Sequence, residues 1–147
     1  IKIKKKFPDK VSNFPLKKEE LLKIILQKQK NLNVLGKIIH PIVRKTMQNF
    51  LKKNRKKKFV VLDIPLFLEN RLNEKKDIII FIEADKKKIN QKLKKRKNIN
   101  PKLINILKRN QLSARFKKKK STYVIKNNFV RNTAKKNVKL IMRRISK

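Results

Sequence analysis

The chain has 147 residues, 39% of them hydrophobic, which is enough apolar content for the core of one modest domain. It has no cysteine, which excludes disulfides and thiolate metal sites, and no apolar stretch approaches the roughly 20 residues of a membrane-spanning helix. We therefore expect a cytoplasmic monomer that makes no membrane contact.

The net charge of +37 taken alone indicates a nucleic-acid-binding protein. However, only 9 of the 46 basic residues are arginine, the lysines are spread along the whole chain, and aromatic residues make up only 6%. Polyanion-binding surfaces favour arginine and interleaved aromatic side chains. We therefore expect weak, non-specific nucleic-acid binding, and a basic RNA- or ribosome-binding protein remains the alternative function.

The first third of the chain predicts two helices. Residues 15–30 carry an apolar stripe that includes Leu21 and Ile25. Residues 32–53 predict a second helix, in which Pro41 introduces a kink or begins a new segment. The residues expected on its inner side are Leu35, Ile38, Ile39, Ile42, Val43, Met47, Phe50 and Leu51.

The rest of the chain alternates strands and helices. Residues 59–65 and 77–83 are continuously apolar, which predicts buried strands of a parallel sheet covered on both faces. The further predicted elements are helices over 85–97 and 100–111, a strand over 121–126 and a last helix capped by Asn132 or Thr133. This order indicates an α/β fold in a single domain, residues 1–147.

Asp63 is expected at the end of the first strand, within the segment VVLDIPLFLEN. Parallel α/β sheets bind their ligands at the carboxyl ends of the strands. A carboxylate there can hold Mg²⁺, or the waters of Mg²⁺, against nucleotide phosphates. Asp63 can equally cap the turn that follows, so both roles stay open at this point.

Two segments of the chain, LDIPLFLEN (62–70) and LGKIIHPIVR (35–44), match motifs of one family. LDIPLFLEN resembles the L-D-x-P-L-L-x-E strand and loop of dephospho-CoA kinases, and LGKIIHPIVR resembles the L-x-x-I-x-H-P-x-V helix of that family. DIIIFIEAD (77–85) is similar to the next core strand, and QLSARFKKKKSTYVIKN (111–127) to the closing Q…V-I-D-N pattern. The segments follow one another in the family's order and cover nearly the whole chain.

This resemblance implies a three-layer P-loop-kinase-like parallel sheet with a helical cap and a lid. Residues 15–53 would form the acceptor-binding cap, and residues 59–147 the remaining α/β core with a lid over 86–120. The implied activity is Mg²⁺-dependent transfer of the γ-phosphoryl group of ATP to the ribose 3′-hydroxyl of dephospho-CoA, the last step of coenzyme A synthesis.

The resemblance also implies roles for individual residues. Asp63 would hold Mg²⁺ directly or through water, Arg96 would stabilise the transferred phosphoryl group, and His40 would lie beside the acceptor. The nucleotide-binding candidates are Arg115, Lys117 and Asn127. Structural roles compete with these: His40 as a stacking or capping residue, Arg96 as one more solvated cation, and Asn127 as a turn former.

The sequence also departs from the family pattern. It contains no G-x-x-x-x-G-K-[ST] P-loop and no D-x-D segment after one, and its single glycine, Gly36, lies within a predicted helix. Lys126 stands where the family usually has aspartate, and Lys92 where it has the first lid arginine. The chain begins with isoleucine rather than methionine. We therefore expect a fragment that lacks the central P-loop strand and is inactive alone.

Overall fold

The computed structural model describes residues 2–12, 14–96 and 100–146. The chain divides into two compact units. Unit 1 comprises Ile1–Leu72 and Asn100–Asn110, and unit 2 comprises Asn73–Ile99 and Gln111–Lys147. Residues 100–110, expected within the lid, thus group with the N-terminal part of the chain.

The described residues form seven α-helices, one short 3₁₀ helix and two strands. In chain order these are α1 (Lys2–Lys6), the 3₁₀ helix (Pro8–Lys10), α2 (Lys18–Gln27), α3 (Lys30–Lys53), β1 (Ile80–Ala84), α4 (Lys86–Lys94), α5 (Pro101–Arg109), α6 (Ala114–Lys119), β2 (Tyr123–Asn127) and α7 (Arg131–Ile145). The five predicted helices are confirmed. The short helices α1 and α6 were not predicted, and the α/β class is confirmed by the combination of helices with a parallel sheet.

Unit 1 is built on a small core of three buried side chains, Val11, Ile24 and Leu35. Partly buried hydrophobic residues pack around it: Ile3, Phe7, Leu16, Leu21 and Ile25. Full burial of one such aliphatic side chain stabilises a fold by about 1.5–3 kcal/mol. The buried Asn31 is satisfied, because its Nδ2 donates to the Ile24 carbonyl at 2.8 Å.

Helix α3 runs through Pro41 without interruption, so the predicted start of a new segment there is wrong. Its predicted inner side is also only partly covered: Leu35 is buried, whereas Ile39, Ile42 and Phe50 are exposed. The physical reason is length. Helix α2 has 10 residues and α3 has 24, so at about 1.5 Å per residue α2 can cover less than half of α3.

The strand predicted over 59–65 is not formed. Residues 59–64 are assigned to no regular element, and Val61 is 83% exposed. A strand needs a hydrogen-bonded neighbour, and within the described part of the chain this segment has none. The apolar pattern therefore predicted the chemical character of the segment correctly but not its conformation.

Unit 2 contains the whole observed sheet, in which β1 and β2 pair in parallel. The register runs from Ile80 opposite Tyr123 to Ala84 opposite Asn127. Helix α7 packs against β2 and buries Ile125 and Ile141. The prediction of a sheet covered on both faces is wrong for β1, where Ile82 is 60% exposed.

Side-chain caps fix the starts of three helices. Each cap accepts a hydrogen bond from the backbone N–H three residues ahead, and the three caps are Asp85 for α4, Asn100 for α5 and Ser113 for α6. Helix α7 begins instead after Val130, so the predicted caps Asn132 and Thr133 are wrong. Asn128 organises the turn before α7: it accepts from the Val130 N–H at 3.1 Å and donates to the Thr133 hydroxyl at 3.3 Å.

Among the helices of the described ranges, none combines the length and the apolar character needed to cross a bilayer.

Candidate functional site

Asp63 is exposed and belongs to segment 59–64 of unit 1, which forms no regular element. Within the described part of the chain, its carboxylate makes no hydrogen bond or ion pair. No hydrogen bond among the described residues supports the alternative role of Asp63 as a cap of the turn that follows it. An exposed carboxylate with all its acceptor positions open is suited to bind a hard cation such as Mg²⁺, or the waters around one.

The loop after Asp63 folds back on itself through a compact turn. Asn70 Nδ2 donates to the Leu66 carbonyl at 2.9 Å, and the Leu72 N–H donates to the Phe67 carbonyl at 3.1 Å. Leu66 adopts a left-handed conformation, with φ 57°. Arg44 at the end of segment 35–44 reaches this loop, because its guanidinium donates to the Asn70 carbonyl at 3.4 Å. Two of the four predicted signature segments therefore meet within unit 1.

His40 lies in the middle of α3, where its imidazole covers the single glycine of the chain. A Cβ added to Gly36 would lie 3.2 Å from His40 Cε1 and 3.4 Å from Nε2. The ring therefore folds back over the preceding helical turn, and the missing side chain at position 36 makes room for it. His40 remains partly exposed, and no hydrogen bond or ion pair joins it to Asp63.

Asn127 ends β2 and organises the turn that follows it. Its Oδ1 accepts from the Phe129 N–H at 2.8 Å, which supports the turn-forming role. In the described residues Nδ2 of Asn127 has no partner, so this amide remains able to bind an acceptor atom of a ligand.

Phe129, which the sequence reasoning missed, stands beside Asn127. It is half exposed, it adopts φ 66°, and Lys92 Nζ of α4 lies 4.8 Å from its ring centroid. The consecutive asparagines at 127 and 128 are the sequence signal that could have indicated a tight turn with a left-handed residue. Lys92, at the position of the family's first lid arginine, is thus turned toward the end of β2.

The three remaining candidates are basic residues of unit 2. Arg96 follows α4 directly, is exposed, and its N–H donates to the Leu93 carbonyl at 3.1 Å. Arg115 is exposed on α6, whereas Lys117 on the same helix is partly buried and its carbonyl accepts from the Ser121 hydroxyl at 2.7 Å. The neighbouring Lys118 is committed to Glu83, which it contacts at 3.0 Å and 3.2 Å.

The candidates thus belong to different units: His40 and Asp63 to unit 1, and the others to unit 2. The resemblance to the kinase family implies that Asp63, Arg96 and Asn127 converge on one cleft, and this stays a prediction. In the part of the chain that the structure covers, no three His, Cys, Asp or Glu side chains form a cluster able to hold a metal ion. Mg²⁺ held at Asp63 would therefore take waters and nucleotide phosphates among its other ligands.

Glu20 of α2, which is not one of these candidates, has a strongly shifted pKa. Hydrogen bonds from the Ser12 hydroxyl at 2.6 Å, the Ser12 N–H and the Lys17 N–H lower the pKa of Glu20 from 4.5 to about 2. This carboxylate joins the segment before α2 to the first turn of that helix. Its role is local, because it fixes the start of α2, where acidic residues are favoured by the helix dipole.

Comparison with known proteins decides the family. The family model "Dephospho-CoA kinase" matches residues 1–132. The chain belongs to the dephospho-CoA kinase family. It is 32% identical over 123 residues to "Dephospho-CoA kinase" of Wolbachia pipientis wMel, a match that spans 82% of this chain and 63% of that relative. It is 29% identical over 125 residues to the protein of that name from Bartonella henselae, spanning 84% and 64% respectively.

Two facts about these matches bear on the site. The chain spans a little under two thirds of the length of these relatives. The family match includes all four signature segments and ends at residue 132, just after the start of α7. All six candidate site residues therefore lie within the matched region, and most of α7 lies outside it.

Proposed function

We propose that the whole protein of which these residues are part is a dephospho-CoA kinase. It transfers the γ-phosphoryl group of ATP to the ribose 3′-hydroxyl of dephospho-CoA and releases ADP and coenzyme A. The 3′-oxygen forms a bond to the γ-phosphorus, the bond to the β–γ bridging oxygen breaks, and the hydroxyl proton is released. The family match over residues 1–132 is the observation that carries this proposal.

Asp63 is the proposed metal-binding residue, and it would be catalytic through the Mg²⁺ that its carboxylate holds. Mg²⁺ bound with ATP neutralises the charge that develops on the phosphate oxygens. Proteins usually contribute one or two carboxylates to a Mg²⁺ site of this kind, so the single open carboxylate of Asp63 is sufficient. Asp63 would hold the ion directly or through water, and Arg96 would contribute positive charge toward the transferred group.

The other candidates position the two substrates. His40, held against Gly36, would contact dephospho-CoA within a cap formed by residues 15–53. The free Nδ2 of Asn127 would bind the nucleotide, and Arg115 and Lys117 would lie near its phosphates. The core over residues 59–147 would carry a lid over 86–120. Positioning and electrostatic stabilisation supply most of the rate in phosphoryl transfer, so such contacts are sufficient machinery.

We also propose that the protein is a cytoplasmic monomer that makes no membrane contact. Weak, non-specific nucleic-acid binding accompanies the kinase function, because a net charge of +37 attracts phosphate backbones. The alternative, a basic RNA- or ribosome-binding protein, would make such binding the main function.

The test is a hybrid protein in which a G-x-x-x-x-G-K-[ST] segment of a family member is fused ahead of residues 1–147. We expect this hybrid to form coenzyme A from ATP and dephospho-CoA in the presence of Mg²⁺. Phosphorus NMR should place the new phosphate on the ribose 3′ position. The family member that donates the segment serves intact as the positive control. A folded hybrid that forms no coenzyme A while that control is active would overturn the proposal.

A further inference from the structure

The charges of this chain are segregated along its length. All nine acidic residues lie within the first 85 positions, and no Asp or Glu follows Asp85. Helix α7 lies in this acid-free stretch. It carries four cations within nine residues, Lys135, Lys136, Lys139 and Arg143.

These four cations share one face of α7. Residues four apart lie one helical turn apart, about 6 Å along the axis, so Lys135, Lys139 and Arg143 form a stripe with Lys136 beside it. Together with Asn132 and Leu140 they line a shallow groove of about 350 Å³. Throughout the described part of the chain, no carboxylate pairs with any of the four. Their positive charge is therefore available to a partner.

The kinase function does not account for this face. The family match ends at residue 132, before all four cations. Packing does not account for it either, because α7 contacts β2 through the opposite side, where Ile141 is buried. A second shallow groove, in unit 1, is lined by Asn49, Lys52, Lys53 and Arg55, but it lies inside the family match.

We propose that the basic face of α7, defined by Lys135, Lys136, Lys139 and Arg143, is a docking surface for the phosphodiester backbone of a nucleic acid. This deepens the weak nucleic-acid binding proposed above by assigning it to one surface. A row of cations at helical spacing can follow successive phosphates along a strand, and three lysines among four cations favour charge over base recognition. Binding is therefore independent of sequence.

An anionic membrane is the less suitable partner. Basic helices that bind membranes insert a continuous apolar face beside their cations. The apolar face of α7 is directed at its own unit, where Ile141 is buried and Met142 and Ile145 are partly buried. Of the larger apolar side chains of α7, only Val138 and Leu140 remain to contact a membrane, and each is about half exposed.

The experiment measures the binding of the 147-residue chain to a fluorescent single-stranded RNA of mixed sequence, by anisotropy, at several salt concentrations. One variant changes the four cations of the basic face to glutamine, through Lys135→Gln, Lys136→Gln, Lys139→Gln and Arg143→Gln. A matched control removes the same charge in unit 1, through Lys52→Gln, Lys53→Gln, Arg55→Gln and Lys56→Gln. Circular dichroism establishes that both variants keep their helices.

We expect the α7 variant to bind roughly tenfold or more weakly at low salt. The slope of log affinity against log salt should become shallower by about three, the value for four phosphate contacts on a single strand. The affinity of the control variant should fall by less than about threefold. Equal losses in both variants would overturn the assignment to α7 while leaving the weak binding intact. No binding by the unmodified chain would overturn both, and preferential α7-dependent binding to anionic vesicles would replace the nucleic acid with a membrane.

Discussion

Asp63 illustrates how a candidate catalytic residue can be separated from a structural one. Its carboxylate is exposed and makes no bond within the described part of the chain, whereas Asp85, the next aspartate but one, caps α4 through the Lys88 N–H at 2.9 Å. Conversion of a capping aspartate destabilises a helix, whereas conversion of a free one leaves the fold unchanged. The open bonding capacity of Asp63 therefore favours a ligand as its partner.

We predict that Asp63→Asn in the hybrid protein lowers kcat by on the order of a hundredfold or more, because it removes the negative charge that would hold Mg²⁺. The measurement is the rate of coenzyme A formation over a range of Mg²⁺ concentrations. Asp9→Asn, which changes an exposed carboxylate of the 3₁₀ helix, is the matched control and should leave kcat unchanged. An unchanged rate and unchanged Mg²⁺ dependence for Asp63→Asn would assign this residue to structure.

Glu20 contributes to the stability of unit 1 in a pH-dependent way. Its pKa is lowered to about 2 in the folded chain, so its contribution is fully present above the ordinary value of 4.5 and is lost as the pH falls toward 2. We predict that Ser12→Ala, which removes the strongest hydrogen bond, raises the pKa of Glu20 toward 4.5. Titration of the Glu20 carboxyl by NMR measures this directly. The matched Ser121→Ala substitution should leave it unchanged, and an unaffected pKa in Ser12→Ala would refute the assigned cause.

At the scale of the elements, the sheet shows how one helix decides which strand residues carry stability. Ile82 and Ile125 are register partners, yet Ile82 is 60% exposed and Ile125 only 8%. The difference arises because α7 packs against β2. A sheet of two parallel strands is too small to be stable by itself, so unit 2 depends on this helix.

We predict that Ile125→Ala destabilises unit 2 by about 2–5 kcal/mol, since it opens a cavity beneath α7. Ile82→Ala removes the same atoms from an exposed position and should cost less than about 1 kcal/mol. Amide hydrogen exchange of β1 and β2 compares the two variants in otherwise identical chains. Equal effects would mean that α7 does not cover the sheet as described.

The elements also mark the limit of reasoning from sequence. Helices were predictable because their signals are local: the apolar stripe of residues 15–30 and the caps Asp85 and Asn100 all act within one or two turns. The strand expected over 59–65 was not predictable in the same way, because a strand exists only beside a partner. The sequence of a segment cannot indicate whether a neighbour is present.

The same limit applies to the site. Arg44 and Asn70 belong to two of the matched motifs, and a hydrogen bond joins them in the structure. Asn127 lies at the end of a strand, as its motif predicted. The interaction of Lys92 with Phe129 was not predictable, because it joins residues 37 positions apart through a turn in which phenylalanine has a positive φ. Contacts of this kind depend on tertiary structure rather than on any local pattern.

At the scale of the whole molecule, we propose that these 147 residues carry the acceptor-side, acidic and nucleotide-side elements of a dephospho-CoA kinase. Their sequence contains no G-x-x-x-x-G-K-[ST] phosphate-binding loop. A single glycine cannot form the G-x-x-x-x-G-K-[ST] turn, whose backbone N–H groups and lysine bind the phosphates of ATP. Under the proposed function, the γ-phosphoryl group would not be positioned without that loop, and positioning supplies most of the catalysis in phosphoryl transfer.

The most direct test is the formation of coenzyme A from ATP and dephospho-CoA by the purified 147-residue chain alone. The hybrid protein, assayed under the same conditions, establishes that the assay detects the reaction. We predict no ATP-dependent coenzyme A above background from the chain alone and clear formation by the hybrid. Sustained, Mg²⁺-dependent formation of coenzyme A by the unmodified chain would contradict the account.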